Sequence, residues 1–129
     1  MTDASWCIFI AFLIPYFFVL IAKAGAKDYD NTRPRESLSA LTSWRSRAYS
    51  AHLNGFEAFA PFAVAIILAQ INSVEQSNID MLAKGFIAFR LMHGFLYLTN
   101  NDKWRTLVWL GGFLCNISIF LLITSANNG

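Results

Sequence analysis

The chain has 129 residues, 56% of them hydrophobic and only 14% charged, with a net charge of +2 and a mean hydropathy of +0.44. So apolar a composition excludes an ordinary soluble domain of this length, which needs far more polar surface. So small a net charge gives no nucleic-acid footprint.

Apolar runs of about 20 residues recur, the length that crosses a bilayer as a helix. The first is expected from Ser5 to Ala24 and contains Pro15, which would kink it or be accommodated by neighbouring helices. The small residues Ala22 to Ala26 resemble a signal-peptide cleavage site. The region before the span, however, carries Asp3 and no Lys or Arg, so a retained span is the better reading. A polar loop follows from Gly25 to Ser43, with Arg33-Pro34 expected to be extended. The second span is expected from Trp44 to Ile71 with Pro61 inside it, and a short connector covers Asn72 to Asn78. The third runs from Ile79 to Leu98, a tight turn covers Asn100 to Lys103, and the fourth runs from Trp104 to Ile123. The expected fold is an all-α, four-helix transmembrane bundle forming one domain over residues 1–129. Cys7 and Cys115 share no metal or CxxC spacing and read as small apolar packers at different depths.

Lys and Arg crowd the first loop and its flanks, with Lys103 and Arg105 at the third, whereas the opposite side carries only Lys84. By the positive-inside rule, loops one and three are expected in the cytoplasm and both termini across the membrane. Trp44, Tyr49, Tyr97, Trp104 and Trp109 would form the cytoplasmic aromatic belt, with Trp6 near the other interface.

Within the second span, Arg47, Ser50, Asn54 and Glu57 fall at i, i+3, i+7 and i+10, roughly one quadrant of a helix. A carboxylate in lipid is costly, by about 2.5–3.5 kcal/mol for Asp at a helix centre on insertion scales. This polar stripe must therefore face protein or a wet pocket. The third span carries Arg90, His93 and Tyr97 at i, i+3 and i+7, again on one face. At 1.5 Å per residue, Glu57 lies about 18 Å from the cytoplasmic end of its span and Arg90 about 16 Å from that of its own. The matching depth predicts that the two meet, with Asn54, Arg47, His93 and Tyr97 lining the space towards the cytoplasm and Arg105 at its rim. His52 points away from the stripe and suits an interhelical hydrogen bond.

Such a pocket is cationic and partly buried. It suits a small anionic, water-soluble molecule meeting an apolar one, with Arg47 and Arg105 holding carboxylates. A bound thiol would be favoured as thiolate by a neighbouring guanidinium. A buried Arg–Glu pair can also serve helix register alone. A proton-coupled transporter using Glu57 is a further reading, against which a paired Arg90 would hold the carboxylate ionised.

At these residues the chain resembles the MAPEG family, the membrane-associated proteins of eicosanoid and glutathione metabolism. Ala51-His52-Leu53-Asn54-Gly55-Phe56-Glu57, followed by Pro61-Phe62, is similar to the family's R-A-H-x-N-x-x-E signature and its subsequent proline. Arg90-x-x-His93-x-x-x-Tyr97 resembles the third-helix motif of the prostaglandin E synthase branch, and Arg105 the arginine placed near the glutathione sulfur. Residues Asp30 to Arg35 resemble the first loop of bacterial members, which implies a bacterial inner membrane. The resemblance implies a homotrimer binding glutathione as co-substrate between adjacent subunits, acting on a lipophilic electrophile or lipid hydroperoxide. It implies Asn54, Glu57, Arg90, His93 and Tyr97 as binding residues, with Arg105 and Tyr97 catalytic. The chain departs from the signature at Ser50, where the family has Arg, and Arg47 one turn earlier is the substitute on that face. Thr106 keeps a hydroxyl beside Arg105, after a shortened turn. A non-catalytic lipid-binding or scaffold member of the same fold is the alternative.

Overall fold

The computed structural model describes residues 1–128, which form five helices: α1 (Asp3–Lys23), α2 (Pro34–Ser39), α3 (Ser43–Ile71), α4 (Gln76–Leu98) and α5 (Asp102–Asn127). Four of them, all but α2, are long and apolar enough to cross a membrane. Each is longer than the sequence reading gave it, by less than a turn in the first three and by six residues in α5. The polar residues flanking the apolar cores, such as Asp3, Gln76 and Asp102, are drawn into the helix ends. The first loop holds a short helix that its turn-forming composition concealed. Arg33 is non-helical, as expected before proline, but Pro34 opens α2 at the position where its missing N–H costs nothing.

Helices α3, α4 and α5 alternate in direction because the connections between them are short and sharply closed. After α3, Ser73 adopts φ +55°, the Val74 N–H reaches the Ala69 carbonyl at 3.0 Å and the Ser73 N–H that of Gln70 at 3.2 Å. After α4, Asn100 does the same at φ +56°, with Asn101 N–H to Leu96 at 3.0 Å and Asn100 N–H to Tyr97 at 3.1 Å. Both are Schellman closures, which satisfy the last carbonyls and reverse the chain within a few residues.

Helices α3 and α4 form the middle of the bundle, α1 packing against both and α5 against both on another side. The rings of Phe62 and Phe86 stack at 3.9 Å between centroids and 7° between planes, joining α3 to α4. Helix α1 docks through two close approaches. Pro15 sits over Gly55, and the Phe18 ring occupies the place where Gly94 has no side chain; a Cβ there would lie 2.0 Å from Phe18 Cζ. In lipid, where association relies on packing rather than on exclusion of water, such small-residue contacts are what hold helices together. His52 Nδ1 lies 2.8 Å from the Pro15 carbonyl, the interhelical bond its position predicts.

Polar groups close the far end of the bundle. The Ala4 N–H donates to Asp80 at 2.8 Å, Gln70 to Thr2 at 3.0 Å, and Lys84 pairs with Asp3 at 2.6 Å. These bonds tie the start of α1 to the end of α3 and the start of α4.

Gly94→Ala is expected to destabilise the protein by at least about 1–3 kcal/mol through overpacking against Phe18, measured by unfolding in detergent, with Phe18→Leu partly restoring stability. In the first loop, the Thr32 hydroxyl and N–H donate to Asp30 at 2.7 and 2.9 Å and hold its carboxyl below the usual carboxylate range. The bonds favour the ionised form, so they brace the loop above the ordinary carboxylate pKa and are lost as pH falls through the lowered one. Hydrogen exchange at Thr32 is expected to accelerate on acidification relative to its intrinsic rate, and to lose that pH dependence in Asp30→Ala.

Candidate functional site

Arg90 is the residue that most constrains this region. It lies eight positions before the end of α4, about 12 Å into the helix, and is only 6% exposed. A guanidinium there must find an acceptor. Its Nη2 donates to Asn54 Oδ1 of α3 at 2.7 Å, and the Asn54 amide in turn faces Glu57 Oε2 at 3.4 Å.

The direct Glu57–Arg90 ion pair expected from depth alone does not form: among the described residues the ion pairs are Arg33–Glu36 and Lys84–Asp3. Asn54 stands one turn nearer the start of α3 on the same face and intercepts the guanidinium. Glu57 is left exposed on the protomer surface at the midpoint of a 29-residue helix. The depth estimate itself holds, because Asn54, Glu57 and Arg90 line one cavity of about 240 Å³ between α3, α4 and α5. Pro61, on the same wall, has no N–H to give the Glu57 carbonyl. That main-chain oxygen therefore has no intrahelical donor. The rest of the lining is largely apolar, dominated by Phe86, Trp109 and Phe113.

A second group gathers nearer the cytoplasm-facing end proposed from the sequence. The Arg105 guanidinium lies over the Tyr97 ring at 4.4 Å, and the His93 ring meets Tyr97 edge-on at 5.1 Å. His93 is 3% exposed and its Nδ1 has no hydrogen-bond partner. Tyr97 lies seven residues, or about 10 Å, from Arg90 along α4. The sequence-predicted residues thus fall into two tiers, a deep one of Asn54, Glu57 and Arg90 and an outer one of His93, Tyr97 and Arg105.

Arg47 joins neither tier through its side-chain charge. Its Nε and Nη2 donate to the carbonyls of Tyr97 and Leu98 at 3.0 and 3.3 Å. There it caps the negative end of α4, a placement different from the pocket-lining one expected. Ser50 turns its hydroxyl back to the Ser46 carbonyl at 3.1 Å, and Thr106 does likewise to Asp102 at 3.1 Å.

Sequence reasoning passed over Asn116. It sits in the middle of α5, is 7% exposed, lines the same cavity, and has a buried carboxamide oxygen with no partner. An unmet buried acceptor costs about 1–3 kcal/mol. The available signal was a lone Asn in an otherwise apolar span.

The sequence matches the MAPEG family over residues 4–125. No match was found among curated proteins or among solved structures. The family match takes in all four long helices, both tiers of polar residues and the turn between α4 and α5, and the chain belongs to the MAPEG family.

Proposed function

We propose that this integral membrane protein is a glutathione-dependent transferase or peroxidase acting on lipophilic substrates. The observation that carries the reading is the Arg90–Asn54–Glu57 relay, which sets a cation, an amide and a carboxylate side by side within the membrane-spanning part of the bundle. A peptide bearing both ammonium and carboxylate groups is complementary to that set. Arg90 would take a carboxylate, and Glu57 the ammonium.

Arg105 supplies the chemistry. Held over Tyr97, its guanidinium favours the ionised form of a neighbouring thiol, and the thiolate is the nucleophile. Tyr97 is held between His93 and Arg105, and its hydroxyl would serve as the hydrogen-bond donor to the thiolate. In transfer, the thiolate sulfur bonds to the electrophilic carbon of the substrate as that carbon's bond to its leaving group, or to an opened ring oxygen that then takes a proton, breaks. In peroxide reduction it attacks one peroxide oxygen, the oxygen–oxygen bond breaks, the departing alkoxide is protonated to the alcohol, and a second glutathione thiol displaces the sulfenic oxygen as water to leave the disulfide. The missing family arginine at Ser50 leaves Arg47 to help hold the peptide; its Nη1 takes part in neither capping bond.

The exposure of Glu57 supports the homotrimer. A carboxylate at mid-span facing acyl chains is costly, and a neighbouring protomer would cover it while completing the binding site. The basic first loop supports placing loops one and three in the cytoplasm, with the termini opposite, and the likeness of residues Asp30 to Arg35 to bacterial members supports a bacterial inner membrane.

A non-catalytic lipid-binding role is the second reading. It is favoured by the commitment of Arg47 to the end of α4 and by the absence of a cation at Ser50.

Titration with glutathione is expected to release heat and to produce thiolate absorbance at neutral pH. Arg105→Ala should keep the binding but lose the absorbance. One pKa unit is about 1.4 kcal/mol, so turnover near neutrality should fall by about tenfold or more. No binding by the parent protein would favour the lipid-binding reading. Native mass spectrometry is expected to give three protomers, and Glu57→Leu to lower glutathione affinity by at least about tenfold while leaving the assembled mass unchanged. A monomer would overturn the shared site.

A further inference from the structure

Asn116 has no part in the relay, yet the structure places it in the same chamber. It is 11 residues beyond Arg105 along α5, about 16 Å deeper into the bundle. The helix around it is apolar, with Cys115 before it and Ile117 after it. Its side chain is more than nine-tenths buried, its carboxamide oxygen has no hydrogen-bond partner among the described residues, and the residue lines the cavity with Glu57 and Arg90. Apart from the relay residues, the cavity wall it shares is aromatic or aliphatic and includes Phe86, Phe113 and Pro61.

A polar side chain within a span faces the bundle interior or a cavity and calls for a hydrogen-bond partner there, from a neighbouring helix or from a ligand. A carboxamide can accept through its oxygen and donate through its amine, so it can meet a hydroxyl, a hydroperoxide or a carbonyl. What it cannot do is pair with a hydrocarbon chain. The cavity therefore joins a charged, peptide-complementary group of residues to an apolar lining that holds one further amide.

We propose that Asn116 is a specificity-determining residue that hydrogen-bonds the oxygen function of an otherwise apolar substrate. The cavity thereby selects oxygenated lipid chains over plain hydrocarbon ones. This rests on the reading of the cavity as a site where a lipophile meets glutathione, but it concerns the lipophile alone. Discrimination arises because a plain chain leaves the carboxamide unmet, whereas an oxygenated one satisfies it.

The test uses the full-length protein in nanodiscs and displacement of a fluorescent acyl probe by two competitors, a C18 fatty alcohol with an additional mid-chain hydroxyl and its unsubstituted parent. The wild-type protein is expected to bind the hydroxylated competitor about tenfold more tightly. In Asn116→Leu that preference should fall to within about twofold, through weaker binding of the hydroxylated competitor, while glutathione titration stays unchanged. Equal binding of the two competitors by the wild type overturns the inference, as does a preference that survives in Asn116→Leu. Asn116→Ser, which keeps a smaller polar group, is expected to retain part of the preference and serves if the leucine variant does not fold; an undiminished preference in it would overturn the assignment. Failure of glutathione to bind the wild type would end the glutathione reading while leaving the lipid preference to stand or fall on its own measurement.

Discussion

A guanidinium buried among membrane-spanning helices must be met, and in this protein it is met by an amide. The bond from Arg90 to Asn54 fixes the rotation of α4 against α3 and brings Glu57 beside the same amide. A carboxylate in place of the amide would neutralise the cation and leave a closed pair. With Asn54 as intermediary, Arg90 and Glu57 are held near each other without cancelling, so each keeps capacity for a ligand of opposite charge. The stacked rings of Phe62 and Phe86 brace the same two helices, so the relay is held on rigid elements.

Polarity is graded along the bundle. Near the end of α4, Arg47 and Arg105 place positive charge against helix carbonyls and the Tyr97 ring. Further in lie the relay residues, sharing their cavity with an aromatic lining and a single further carboxamide. A water-soluble peptide and a lipid-soluble partner could enter such a gradient from opposite directions and meet in between. The close packing of α1 through Gly55 and Gly94 leaves the α3–α5 side as the one on which this chamber is built.

The four spans were legible because apolar length and helical period are properties of the residues themselves. The grouping of Asn54, Glu57 and Arg90 was legible for the same reason, since rise per residue converts position into depth. Partner choice was not. Depth does not reveal that Asn54, one turn nearer on the same face, reaches the guanidinium first. Arg47 misled because a helix C-terminus offers acceptors that no side-chain pattern displays. The short α2 is too brief to carry a period, and its start is set by the fixed torsion of Pro34. Asn116 escaped because a solitary amide has no stripe to belong to, and only the cavity gives it a setting.

Pro61 carries a consequence of a different kind. Because its ring nitrogen has no hydrogen, the peptide oxygen of Glu57 lacks the bond that every ordinary helical residue supplies. One of the acceptors along this wall thus belongs to the backbone. Truncating side chains one by one would never delete it, and exchanging the imino acid for alanine would silence it by handing it an amide proton. A scan of the chamber would then register the proline as a polar contributor, although the residue itself has no polar atom to offer.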